Sequence, residues 1–149
     1  MIITTSRNTT ALAKKFCKYL AIFLYGVKHI PRGQTNLSKI FEKSSYLGYN
    51  HLLLVSKVKE GLSLTVYLRT DKEYLPVSEH IITNINFQTT VPLSQIKKIK
   101  QQEVNTDVFF LDKEYLKETK DSEITLKQKD NHFSFFLEKK ELGFSFDLK

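Results

Sequence analysis

Ser6 and Arg7 stand directly behind a short β-rich run, Ile2-Ile3-Thr4-Thr5, and directly ahead of a strong helical pattern. A strand that runs into a polar turn and then a helix gathers hydroxyls, free backbone N–H groups and a guanidinium at one helix entrance. That chemistry suits an anion, and a phosphate most of all. Ser, Thr and Asn residues ahead of a helix are also ordinary caps; Arg7 takes the reading beyond capping. Arg32 has the same setting. Pro31-Arg32-Gly33-Gln34 forms a tight turn behind the alternating run Val27-Lys28-His29-Ile30. It precedes a second helical pattern capped by Thr35 or Asn36.

The elements that must position these arginines follow from periodicity. From Leu12 the apolar residues Leu12, Phe16, Leu20, Phe23 and Leu24 recur at helical spacing, with Ala13 and Cys17 beside them. Lys14, Lys15 and Lys18 fall on the opposite face, and Gly26 ends the helix. The second helix places Leu37, Ile40, Phe41 and Leu47 inward and closes at Gly48. Leu52-Leu53-Leu54-Val55 is a continuous apolar run, as expected of a strand covered on both faces. The order β-α-β-α-β suits parallel pairing with right-handed crossovers. Ligands of such sheets gather outside the carboxyl ends of the strands. Arg7 and Arg32 are therefore expected to converge at one sheet edge. The competing account pairs Arg7 with an acid such as Glu42 or a carboxylate of the second half and leaves Arg32 as turn decoration; for the three helix lysines, a plain solvated face is the alternative.

Charge supports a polyanionic partner. The 149 residues carry a net +7, but residues 1–59 hold ten Lys or Arg against the single acid Glu42, a balance of +9. The remaining 13 basic and 15 acidic residues balance at −2. A lysine-rich surface explains a positive total better than it explains this asymmetry, and nucleic acid is the commonest polyanion. The candidate RNA- or phosphate-binding residues are Thr5, Ser6, Arg7, Lys14, Lys15, Lys18, Lys28, Arg32, Gly33 and Lys39. Arginine would grip phosphate bidentately, and lysine would act as a point charge.

The rest of the chain is strand-rich. Residues 62–68 alternate without a break and are expected to form a hairpin with residues 52–57 or to lie at their edge. Residues 80–87 alternate likewise. A weak helical or loop segment begins at Pro92 and carries Lys97, Lys98 and Lys100, and residues 105–119 could hold a short helix. Residues 123–129, 132–138 and 143–148 read as three strands, with turns at 129–131 and 139–142. Phe133, Phe135, Phe144 and Phe146 lie at period two within them. This half is expected to be an antiparallel meander, packed on the first sheet or continuous with it.

Several classes of chemistry are disfavoured. No run of 18 apolar residues occurs, so no membrane span is expected, and the polar start does not read as a secretory signal. One cysteine, Cys17, excludes an internal disulfide framework and a cysteine-based zinc site; a cytoplasmic location follows as an expectation. The histidines His29, His51, His80 and His132 are scattered without metal-ligand spacing. There is no glycine-rich phosphate loop, and no metal or cofactor is expected. One acid in the first 59 residues argues against paired-carboxylate or two-metal catalysis. Ser6 beside Arg7 could imitate a nucleophile, but no local His or Asp activates it, so a binding protein is expected rather than an enzyme.

Ile2-Ile3-Thr4-Thr5-Ser6-Arg7, the basic helix with Phe16, the strand leading to Pro31-Arg32-Gly33 and the leucine-bearing helix together resemble the Brix domain. The short chain without extensions is similar to the archaeal single-domain members. The family pattern commonly runs Ser-Arg-Lys-Pro-Ser, where this chain has Ser6-Arg7-Asn8-Thr9-Thr10; Pro31 stands where Asn commonly precedes Arg-Gly. Both departures spare the arginines and the glycine. The resemblance covers roughly the first third of the chain. It implies a single Brix-like domain over residues 1–149, with halves near 1–75 and 76–149. The implied fold is mixed α/β: a β-α-β-α-β N-terminal half and a strand-rich C-terminal half, resembling two fused anticodon-binding-domain-like units. It also implies a ribosome biogenesis factor that binds ribosomal RNA or its precursor, with other ribosome assembly proteins as partners and no membrane. The alternatives are an anticodon-binding-like tRNA-binding module that assists another enzyme, a small phosphate-ester enzyme, and a protein-interaction scaffold.

Overall fold

The computed structural model describes residues 1–24, 26–71, 73–97 and 124–149. The helix expected within 105–119, together with Lys98 and Lys100, lies outside the described residues. The chain divides into two compact units, residues 1–21 with 27–81, and residues 22–26 with 82–149.

The first unit begins β1 (Ile2–Thr5), α1 (Ala11–Phe23), β2 (Lys28–His29), α2 (Leu37–Tyr46), β3 (His51–Val58). β1 lies between β2 and β3 and pairs in parallel with both. All four β1 residues are buried, because both faces of a central parallel strand are covered. β3 then turns back into β4 (Gly61–Arg69) as an antiparallel hairpin, so the hairpin expectation holds. β4 neighbours β5 (Tyr74–Phe87).

The two crossovers leave β1 and β2 in opposite directions along the sheet, and right-handedness puts α1 and α2 on opposite faces. α2 covers the face of Ile2, Leu52 and Tyr74, where Ile30 and Ile40 are buried with them. The Tyr74 hydroxyl donates to the Tyr49 carbonyl at 2.6 Å and lies 2.8 Å from the Ser44 hydroxyl. This anchor explains why β5 begins at Tyr74 rather than at residue 80, despite Pro76 within it. α1 buries Ala13, Phe16, Cys17, Leu20 and Phe23 as expected, and also Tyr19 and Ile22; Leu24, just past its end, is buried too. Two residues expected inside are not: Leu12, in the first turn of α1, is 42% exposed, and Leu47, at the C-cap of α2, is 39% exposed. Cys17 donates its thiol to the Thr4 carbonyl at 3.8 Å, and burial pushes its pKa far up, as befits an inert structural thiol.

The second unit contains the end of β5, α3 (Leu93–Ile96), β6 (Ile124–Lys129), β7 (His132–Leu137) and β8 (Lys140–Leu148). β6, β7 and β8 form the expected antiparallel meander, and β8 pairs with β5 from Ile82 to Phe87. β8 starts at Lys140, three residues earlier than its phenylalanines suggest. The β7–β8 turn is only Glu138-Lys139, because Glu138 accepts a φ of +55° and so permits a tight reversal. Phe135 and Phe144 stack at 5.2 Å, and Phe23 at the end of α1 lies 5.0 Å from each. All four strand phenylalanines at period two are buried. Gly143 is obligatory here: its φ is +82°, and a Cβ would collide with the Gln88 carbonyl oxygen.

Candidate nucleic-acid interface

The carboxyl edge of β2-β1-β3 is set by backbone bonds. Thr5 is level with Val55, and the Ser6 N–H donates to the Val55 carbonyl at 2.9 Å. The Ile30 N–H donates to the Ile3 carbonyl at 3.0 Å, and Thr4 Oγ1 donates to the Ile30 carbonyl at 2.8 Å. The chain leaves β1 through Ser6-Arg7 and leaves β2 through Pro31-Arg32. Those two neighbouring loops depart for helices on opposite faces. Open α/β sheets hold their ligands at such points of divergence.

Arg7 and Arg32 both lie at this edge, near enough for their charges to act on one another. The Arg32 pKa is lowered first by partial burial and then by the Arg7 guanidinium, with the Tyr67 phenol acting in the other direction. Two arginines close enough to repel is the convergence expected from strand order. Among the described residues neither guanidinium forms an ion pair with a carboxylate, so Arg7 does not pair with Glu42. The Arg32 Nε–H donates to the Thr35 carbonyl at 3.0 Å, and the Thr35 N–H returns a bond to the Arg32 carbonyl at 3.0 Å. The turn thus fixes the guanidinium through Nε and leaves its two Nη groups for a bidentate acceptor. Gly33 holds φ +54° within this turn, in open surroundings.

The helix entrances lie further along than the sequence suggests. α1 starts at Ala11, and Thr10 is its cap: Thr10 Oγ1 accepts from the Ala13 N–H at 3.2 Å. Ser6-Arg7 is therefore a bend four residues ahead of the helix rather than its opening. The Ser6 N–H is already bonded, and a dipole that fades beyond the first turn contributes little at Arg7. Of the two caps considered for α2, Asn36 is the one used; its Oδ1 accepts from the Lys39 N–H at 2.9 Å.

The remaining candidates scatter. Thr5 is buried at 3% exposure, so it shapes the strand end without presenting its side chain, and Ser6 is half-buried. Lys14, Lys15 and Lys18 are exposed on α1, and Lys15 Nζ lies 5.6 Å from the Tyr19 ring centroid. Lys39 is exposed in the first turn of α2, next to the Arg32 turn. Lys28 goes elsewhere: it is level with Ile2 and donates its N–H to the Met1 carbonyl at 2.8 Å. That is the amino end of β1, about 10 Å of strand from Thr5 at roughly 3.3 Å per residue. Sequence reasoning missed Lys57 and Lys59. β3 runs three residues past Val55 before it turns, so this pair projects beyond the Arg7 edge. The available signal was length: the alternation continues through Lys57 and Val58 while β1 ends at Thr5.

No protein-family model matches the chain, and no curated protein matches it by sequence. Its fold, a parallel β-α-β-α-β unit followed by antiparallel strands, is nevertheless shared by solved proteins. One is a probable ribosomal biogenesis protein from Aeropyrum pernix K1, with a TM-score of 0.68 at 14% identity, covering 99% of this chain and 93% of that one. Another is Mil, an archaeal Imp4-like protein, with a TM-score of 0.62 at 12% identity, covering 99% of this chain and 96% of that one. At these identities the likeness is one of fold, and it bears out the resemblance first read from the Ser6-Arg7 and Arg32-Gly33 segments.

Proposed function

We propose that this chain is a ribosome biogenesis factor that binds ribosomal RNA or its precursor at the carboxyl edge of β2-β1-β3. The observation that carries the reading is the pair Arg7 and Arg32, brought to one sheet edge with no carboxylate paired to either among the described residues. Holding two like charges together costs free energy in the absence of an anion. A phosphodiester offsets that cost and accepts hydrogen bonds from both guanidiniums. The names of the two structural neighbours point the same way.

Under this reading the protein acts by binding, without a catalytic step or a cofactor, as one Brix-like domain in the cytoplasm. Arg7 and Arg32 hold phosphates, Lys39 adds charge at the entrance of α2, and Lys14, Lys15 and Lys18 extend the field along the exposed face of α1. The −2 balance of residues 60–149 favours a role for them in shape, stability and contact with other assembly proteins. Among the described residues no helix is long and apolar enough to cross a membrane. The test is recovery of the tagged protein from cell extract followed by sequencing of the RNA that comes with it. Enrichment of ribosomal RNA or its precursors is the expected result. Enrichment of tRNA would favour the anticodon-binding-like alternative instead.

A further inference from the structure

The order of the strands fixes more than the placing of two arginines at one edge. Along the carboxyl edge the sequence of strand ends is β2, β1, β3, and each end delivers basic side chains: Arg32 from β2, Arg7 from β1, Lys57 and Lys59 from β3 and its turn. Neighbouring strands lie about 4.8 Å apart, so the three ends span roughly 10 Å across the edge. The third end is also the tallest. β3 and β4 stay paired through Val58 and Gly61, three residues beyond the level of Thr5. The hairpin therefore rises about 10 Å above the end of β1, at roughly 3.3 Å per residue. Lys57 is paired with Leu62 and shares the sheet face of Leu53 and Val55, while Lys59 sits in the turn; both are exposed. The one acid at the tip, Glu60, leaves the hairpin with net positive charge.

The geometry points to a path for the RNA: the sugar–phosphate backbone of a single strand crosses the carboxyl edge from Arg32, over Arg7, to Lys57 and Lys59, with the β3–β4 hairpin as its far wall. This inference rests on the RNA-binding reading above and adds the direction of the strand and two residues outside the sequence-derived set. It also removes one residue. Lys28 lies at the opposite end of the sheet, off any path along the carboxyl edge.

The test uses the full chain and a single-stranded RNA of mixed sequence, about 12 nucleotides long, near the upper end of single-strand site sizes. Affinity is measured over a series of salt concentrations for wild type, Arg7→Ala, the double variant Lys57→Ala/Lys59→Ala, and Lys28→Ala, with thermal melts alongside. The hairpin variant is expected to bind about tenfold more weakly, as the loss of two exposed charge contacts implies. Its log K against log salt should become shallower by about 1.4, the value for two phosphates on a single strand. Lys28→Ala is expected to bind within about twofold of wild type with an unchanged slope. If wild type binds and Arg7→Ala weakens it while the hairpin variant does not, the path is wrong and the RNA-binding reading stands. The path is equally overturned if Lys28→Ala loses as much as the hairpin variant. If wild type binds no RNA at low salt, the parent reading fails and the path falls with it.

Discussion

Thr4 and Ile30, 26 residues apart in the chain, are joined by a buried 2.8 Å hydrogen bond from the Thr4 hydroxyl to the Ile30 carbonyl. It ties the end of β1 to the exit of β2, and so sets the spacing of the Arg7 and Arg32 loops. Thr4→Val keeps the shape of the side chain but leaves the Ile30 carbonyl without this donor. The variant should lose roughly 1–3 kcal/mol of stability, as for a buried acceptor deprived of its partner. Urea unfolding measures this, and a midpoint equal to wild type would show that the bond does not brace the two loops.

RNA binding should be steep in salt. If about five basic groups meet phosphates, log K should fall with log salt at a slope near −3.5 on single strands. Titration at several salt concentrations gives the slope. An affinity independent of salt would point to base stacking on aromatic side chains in place of phosphate contacts.

The second unit depends on its phenylalanine cluster. Phe135 is fully buried, against Phe144 at 5.2 Å and Phe23 at 5.0 Å. Phe135→Ala should cost about 3–5 kcal/mol through lost burial and the cavity left behind. A thermal melt that coincides with wild type would contradict this packing.

Acid should weaken the same unit. The Asp147 carboxyl is held below the usual carboxylate range, first by the Asn84 side-chain amide at 2.6 Å and then by His132 at 2.7 Å. A carboxyl whose pKa is lower in the folded state contributes stability above its unfolded pKa, near 3.9, and loses it as pH falls through the folded value. Stability measured from pH 6 down to pH 3 should fall less in Asp147→Asn than in wild type. Parallel curves for the two proteins would remove Asp147 from the account.

How much was legible in the sequence depended on whether a signal was local. Ile2–Thr5, α1, α2 and the Leu52–Val55 core of β3 announce themselves by period and by caps, and their order predicts the shared edge of Arg7 and Arg32. Helix starts were less legible, because Ser6, Thr9 and Thr10 are all acceptable caps and only the Thr10 bond to Ala13 decides among them. The early start of β5 was hidden by Pro76, since what holds Tyr74 is a partnership with Ser44 and Tyr49, far away in the chain. Lys28 and Lys57 show the same limit at the candidate site. Counting charges treats them alike, and only strand register places one at the amino end of the sheet and the other beyond its carboxyl edge.

RNA affinity of Arg7→Ala and Arg32→Ala, measured beside their melting temperatures, tests the central claim most directly. Each variant should lose on the order of 1–3 kcal/mol of binding free energy, as for charge-assisted contacts, with little change in melting temperature. Lys139→Ala, in the exposed β7–β8 turn, is the control and should bind as wild type does. Arginine variants that bind as well as wild type, or that lose binding only because they unfold, would contradict the placement of the site.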